Sequence, residues 1–307
     1  MKIKNIVAIQ SDPINTLDVN TDTTLLLANE AQRMGYKIFF YQSKNLSIKN
    51  GKIIAKGEYY KIEPIKKISK KKDVDLSYVK FILIRQNPPF NIDYITSLYP
   101  LISLSNKVKI INSPIGIIKT HEKLFSIRYK KFMPETIFTQ SYSEIIKFKK
   151  KHKKIVIKAT HGYGGKHIKF IKNNIKKIEL ENFLKRHKHV MVQKYLNGVK
   201  YGDKRVFIIN GKICGAIKRV PKKNSILSNI SQGGRAYLTK LNTREIKISK
   251  TIAKDLKKNN IYFAGIDIID NYLSGDINVT SPTGLKTFMD LSGLNLSKFF
   301  WSQLKRK

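Results

Sequence analysis

The stretch KIVIKATHGYGGKHIKFIK, residues 154–172, decides how the rest of the chain is read. Ile155-Val156-Ile157 is a β-branched run that favours a strand, and KHIKFIK (166–172) alternates apolar and polar residues as a second strand does. Between them lies HGYGG. A glycine cluster between strands is by itself only a tight turn, but its flanks restrict its kind. A Walker loop or a dinucleotide fingerprint needs a helix directly after the glycines, so that the helix N-terminus meets phosphate. A strand follows here, and both motifs are excluded. What remains is a hairpin tip whose bare N–H groups at Gly162, Gly164 and Gly165 can close over phosphates, as glycine-rich loops do in other ATP enzymes. Lys158 ends the first strand on the same face as Val156, which suits a partly buried point charge aimed at phosphate.

Acidic residues are scarce, 21 against 60 Lys and Arg, so the segment YFAGIDIIDNYLSGDINVTSPT (262–283) stands out. Asp267 lies in an apolar strand, and Asp276 and Asn278 stand at i and i+2 on the next, sharing one face. Three oxygen ligands on adjacent strands suit Mg²⁺, a hard cation commonly held by one or two carboxylates together with ATP phosphates. The six His are dispersed, and no zinc site is expected. In a chain so biased toward Lys, each Arg marks a place where a planar bidentate fork is needed. Arg85, Arg205, Arg219 and Arg235 all sit at strand ends or turns, where ligands gather.

Further out, NIVAI (5–9), TTLLLANEAQRMG (23–35) and KIFFYQ (37–42) form a βαβ opening, with Asp22 or Thr23 as the helix N-cap and Gly35 at its end. YVKFILIRQ (78–86) and KVKIINSP (107–114) add strands ending in proline turns, which predicts three or four parallel strands with crossover helices up to about residue 118. The spacing then predicts a helix over 121–132, a strand at 135–140, helices over 141–153 and 178–188, a strand at 189–196, and a hairpin over 205–220 turning at Asn210-Gly211. The fold class is α/β.

The formal charge of +39 on 307 residues invites a nucleic-acid partner. The basic residues are scattered Lys, accompanied by Ile, Asn, Tyr and Phe, the residue set of A/T-rich codons. Runs such as KKISKKKD (66–73) and KFKKKHKK (147–154) lack interleaved aromatics and read as solvated faces. No nucleic-acid or membrane partner is expected. The single Cys214 precludes an internal disulfide and suits a reducing compartment; with no segment of membrane-span or signal-peptide length, a cytoplasmic location is expected.

Taken together, SDPIN (11–15), IRQNPPFN (84–91), HEKLF (121–125), VIKATHGYGGKHI (156–168), VQKYLNGVKYGDKRV (192–206), SQGGRA (231–236), GIDII (265–269) and DINVTSPT (276–283) resemble prokaryotic glutathione synthetase, a family of ATP-grasp ligases, over nearly the full length. The resemblance implies an N-terminal Rossmann-like domain (1–120) followed by an ATP-grasp domain (121–307), whose lid spans about 121–195 and whose core spans about 196–307. It implies ATP held by Lys123, Lys158, the glycine turn, the strand Gln193, Lys194, Tyr195 and Leu196, and Asp203. Mg²⁺ or Mn²⁺ would be held by Asp267, Asp276 and Asn278. Arg205, Arg219 and Arg235 would face the transferring phosphoryl group, and Arg85, Ser281 and Thr283 would place the substrates. The implied reaction joins γ-glutamylcysteine to glycine through an acylphosphate, shielded by the glycine turn and residues 221–235, in a homotetramer. Departures from the family pattern fall at Asp276, where Glu is usual; at Asn87 and Asn91, usually Asp; at His161, usually Asp; and at Leu227, usually Arg. Another ATP-grasp carboxylate–amine ligase and a catalytically weakened ATP-binding homologue remain open as alternatives; SPTG after DINV argues against the first.

Overall fold

The computed structural model describes residues 4–222, Ser228 and residues 233–305. Its first sheet is built around β1 (Lys4–Gln10), β2 (Lys37–Lys49), β6 (Val79–Ile84) and β7 (Lys109–Ile111), four parallel strands in the order β2-β1-β6-β7. Helix α1 (Thr23–Arg33) crosses from β1 to β2; Asp22 is its N-cap, accepting from Leu25 N at 2.9 Å. Helices α2 (Ile92–Ile102) and α3 (Pro114–Lys119) follow β6 and β7.

The sheet is larger than the sequence predicts. β2 runs on to Lys49 and turns back through Asn50-Gly51, both at positive φ, into β3 (Lys52–Ile62), which pairs antiparallel with it and with β4 (Ile65–Lys67) and β5 (Lys72–Asp75). The polar interruptions of SKNLSIKNGK hide this extension, because residues 43–52 are mostly exposed and carry no strong two-residue alternation.

Two antiparallel sheets follow. One has the order β10-β9-β11-β8, from β8 (Thr136–Thr139), β9 (Ile155–Ala159), β10 (Ile168–Ile171) and β11 (Val190–Lys194). Helices α4 (Tyr142–His152) and α5 (Lys177–His187) cover it, with Ile145, Ile157, Leu180 and Val190 in a core separate from the rest of the protein. The other has the order β14-β13-β12-β15-β16, from β12 (Asp203–Ile209), β13 (Lys212–Val220), β14 (Arg235–Leu238), β15 (Phe263–Ile269) and β16 (Tyr272–Asn278). Helices α6 (Thr243–Lys258), α7 (Leu285–Ser292) and α8 (Leu296–Lys305) complete it. The expected helix over 121–132 is instead a 3-10 segment, Leu124–Phe132, broken at Tyr129 (φ −107°, ψ 30°). Phe125, Tyr129 and Phe132 are buried, so packing overrides the helical spacing.

The N-terminal sheet and the last one are joined by Asn112, which is 3 % exposed. Its Nδ2 donates to Phe263 O and Val279 O, each at 2.7 Å, and its Oδ1 accepts from Tyr262 N at 2.9 Å and Phe263 N at 2.8 Å. From the other end of the chain, Trp301 Nε1 donates to Leu27 O at 2.9 Å, seating α8 against α1. Replacing Asn112 by Ala strands four backbone groups, three of them in buried hydrogen bonds. We expect a loss of about 3 kcal/mol, read as a lower denaturation midpoint at unchanged slope; an unchanged midpoint would show that the joint is redundant.

Candidate active site

Lys158 ends β9 and Asp276 lies on β16, and their meeting defines a cleft between the second and third sheets. Lys158 Nζ donates to Ser274 O at 2.8 Å and to Asp276 Oδ2 at 3.3 Å. Lys123 Nζ stands 3.3 Å from Asp276 Oδ1 and also donates to Gly162 O. Burial works to raise the Asp276 carboxyl, but the two lysines overcome it and hold it well below the usual carboxylate range. Alongside, Asp267 on β15 accepts from Arg205 Nε at 2.5 Å and Nη2 at 2.8 Å, with Arg219 Nη2 at 3.1 Å. Burial again pushes upward, and the two guanidiniums keep Asp267 ionised. Asp203 completes the cluster by accepting from Arg219 Nε at 2.8 Å and Nη2 at 2.5 Å. The close approach of Arg205 explains Gly265: a Cβ there would lie 2.8 Å from Arg205 Cδ.

The glycine turn joins β9 to β10 as the alternation predicts. Gly164 (φ +59°) and Gly165 (φ +80°) occupy the left-handed region that glycine adopts without strain. Among the described residues no hydrogen bond takes up the N–H of either. The cleft below has a volume of about 120 Å³ and is lined by Lys123, Lys158, Gly162, Gly164, Gly165, Gln193, Lys194, Tyr195, Leu196 and Asp203, together with Asp267, Asp276 and Asn278. A second compartment of about 630 Å³ opens beside it, lined by Asp18, Asp22, Asn87, Ser281, Thr283 and Thr287. Arg205, Arg219, Asn278 and Glu122 line both.

Two of the arginines picked from the sequence stand elsewhere. Arg85 lines neither compartment: it is buried beneath the turn at 281–283, where Nε donates to Thr24 Oγ1 at 3.1 Å and Nη2 to Pro282 O at 3.0 Å. Burial lowers its pKa to about 10, and it holds the turn from behind. Arg235 lies on edge strand β14, exposed and outside both compartments. Leu227 and most of 221–235 lie outside the described residues. Asn91 N-caps α2 through Oδ1 to Tyr94 N at 3.0 Å, a position where Asn and Asp serve equally well. Cys214 has its thiol pushed up to about 11 by burial, which removes it as a nucleophile.

The oxygen set fits a hard divalent cation. Both carboxylates are held ionised, and Asn278 commits its Nδ2 to Gly265 O at 3.1 Å and Asp267 Oδ2 at 3.3 Å, leaving Oδ1 as its free ligand atom. Among the described residues no three His, Cys, Asp or Glu side chains converge as a metal cage. Two carboxylates that depend on phosphates to complete the shell are the usual arrangement for Mg²⁺.

Sequence reasoning passed over Glu122 and His121, although both lie in the HEKLF run. His121 packs edge-on against Phe90, and its Nδ1 accepts from Lys123 N at 3.2 Å and Leu124 N at 3.3 Å. His161 of the glycine turn reaches the same place, its Nδ1 donating to Phe90 O at 2.7 Å.

A glycine hairpin closing over buried lysines, opposite a strand pair carrying Asp and Asn, is the arrangement of an ATP-grasp ligase. A solved RiPP-associated ATP-grasp ligase of Chryseobacterium gregarium, in complex with ADP and a leader and core peptide, superposes with a TM-score of 0.65 at 15% identity, covering 98% of this chain and 96% of that one. Residues 6–117 match the N-terminal domain of prokaryotic glutathione synthetase and residues 122–293 match its ATP-grasp domain. The chain belongs to the prokaryotic glutathione synthetase family, and is an ATP-dependent, peptide-bond-forming ligase. It is 35% identical to the glutathione synthetase of Agrobacterium fabrum over 314 residues, 100% of this chain and 98% of that protein. It is also 35% identical to that of Mesorhizobium japonicum over 315 residues, 100% and 99% of the two chains. No helix among the described residues is long and apolar enough to cross a membrane.

His121 sets a pH dependence. Burial first, then His161 and Lys123, lower it from an ordinary 6.5 to about 4. The folded state keeps the ring neutral while the unfolded chain protonates, so this contribution is whole above pH 6.5 and is lost as pH falls toward 4. The slope is at most about 1.4 kcal/mol per pH unit. Melting temperatures measured from pH 7 to 5 should fall more steeply for the native chain than for His121→Gln; parallel slopes would remove His121 as the cause.

Proposed function

We propose that the chain is a glutathione synthase: it joins γ-glutamylcysteine to glycine, with ATP converted to ADP and phosphate through an acylphosphate intermediate. The observation that carries this reading is the meeting of the two compartments at Arg205, Arg219 and Asn278, beside the lysine-held Asp276. One compartment carries lysines and arginines whose charge complements a nucleotide's phosphates. The other is lined by carboxylates and hydroxyls suited to the ammonium and carboxylate groups of a small peptide.

In this reading Lys123 and Lys158 are phosphate ligands, the glycine turn closes over the triphosphate, and Gln193 to Leu196 with Asp203 hold the base and ribose. The adenine side is supported by the half-buried Tyr195, whose ring packs against Phe170 at 4.3 Å between centroids, tilted by 32°. Asp267, Asp276 and Asn278 would hold Mg²⁺, which when bound neutralises phosphate charge and polarises the transferring group. The substrate carboxylate attacks the γ-phosphorus in line, and Arg205 and Arg219 offer charge where the three equatorial oxygens gain it. Both guanidiniums are pinned by Asp267 and Asp203 before any substrate arrives, so little reorganisation accompanies the reaction. Ser281 and Thr283 line the substrate side, with Arg85 fixing their backbone from behind. Arg235 enters the reading only through the family resemblance, and so does a homotetramer; a cytoplasmic location rests on the single cysteine and the absence of a span-length segment.

The test is phosphate release from MgATP with γ-glutamylcysteine, with and without glycine. Full release should require both substrates and yield glutathione; tight ATP binding with no turnover would overturn the reading. Asp276→Asn should lower kcat by about 10²-fold or more, the scale of losing one charge-stabilising group. It should also lower the melting temperature without nucleotide, because Lys123 and Lys158 lose their counter-ion. Undiminished turnover would take Asp276 out of the metal site.

A further inference from the structure

Where the two compartments meet, Glu122 is the one carboxylate among the described residues that line both. It is held firmly on one side only. Its backbone O accepts from Ile277 N at 2.9 Å. Its Oε1 accepts three further hydrogen bonds, from Val279 N at 3.2 Å, Thr280 N at 3.4 Å and Thr280 Oγ1 at 2.8 Å. Among the described residues no hydrogen bond reaches Oε2, and Oε2 is not among the polar atoms sealed from solvent without a partner. Holding the end of β16 thus accounts for one oxygen of the pair. Among the described residues the other is unpaired and not sealed from solvent, on a residue that lines both compartments.

The chemistry at that junction needs such a group. An amine substrate arrives near neutral pH as an ammonium and cannot attack until it gives up a proton. The neighbours Arg205, Arg219, Lys123 and Lys166 are cations and cannot accept it. Asp203, Asp267 and Asp276 are each committed to Arg or Lys partners. On the ligase reading above, on which this step rests, we propose that Glu122 receives the attacking amine at Oε2 and acts as its general base. One N–H proton passes to Oε2 and the freed nitrogen lone pair forms the C–N bond at the acylphosphate carbonyl. Collapse then breaks the C–O bond, and phosphate leaves with the bonding pair and the second N–H proton. Glu122 afterwards returns its proton to water. Burial raises the Glu122 carboxyl, which strengthens it as an acceptor.

Glu122→Gln is a clean probe, because the amide oxygen can keep all three bonds made at Oε1 and the NH₂ replaces only the free oxygen. ADP formation is measured with MgATP and γ-glutamylcysteine, using either glycine or hydroxylamine as the amine. Hydroxylamine is already unprotonated at neutral pH and needs no base. In the variant, glycine-dependent turnover should fall by about 10²-fold or more, while the KM values for ATP and γ-glutamylcysteine and the hydroxylamine-dependent rate stay at native levels. The glycine deficit should narrow as rising pH deprotonates the amine. Equal losses with both amines would mean a structural role only, and an unchanged glycine rate would mean no role; either overturns the assignment. A native chain inert with both amines overturns the ligase reading, and this assignment with it.

Discussion

Buried charge must be paired, and the third sheet together with the loops around it is arranged to meet that constraint. Asp267 sits between Arg205 and Arg219, Asp203 takes the remaining face of Arg219, and Asp276 sits between Lys123 and Lys158. Removing one partner from such a set costs about 3–5 kcal/mol, because the remaining ion stays desolvated. The pairs also fix geometry. Lys158 comes from the second sheet and Asp276 from the third, so the same contact that neutralises both also sets the distance between the two walls of the cleft.

Much of this was legible in the sequence because it depends on local periodicity. The alternation on either side of HGYGG defines a hairpin, and Asp276 and Asn278 share a face because strands repeat every two residues. The Asn210-Gly211 turn, at φ +50° and +73°, links β12 to β13 where its type requires. What was not legible depends on partners remote in sequence. Arg85 looks like a ligand residue at a strand end, yet its partners are Thr24 and Pro282, the latter 197 positions away. Glu122 looks like part of a helix start, yet its side chain is bound to Thr280, 158 positions on. The helical spacing of 121–132 gave way to burial of three aromatic side chains. The antiparallel edge β3 to β5 was missed because its exposed polar residues dilute the apolar alternation.

The comparisons divide along the same line. A solved ATP-grasp ligase at 15% identity retains the fold over nearly the whole chain, whereas relatives at 35% identity share a family. The second compartment is enclosed in part by segments outside the sheets. Its walls come from the residues before and at the start of α1, the NPPF turn and the turn at 281–283. These segments contribute side chains to the pocket without setting the register of any sheet.

The seating of α8 on α1 bears on how the chain is made. Trp301 and Phe300 are each 1 % exposed; the Trp301 ring packs against Tyr36, just before β2, and Phe81 of the first sheet, while Phe300 packs against Tyr262 and Phe263. On a ribosome, residues 1–120 emerge early and can pair their parallel strands. The face that receives α8 then stays uncovered until residues 296–305 have been synthesised. Throughout that interval an aromatic surface is uncovered and prone to non-native association, and α8 is what closes it.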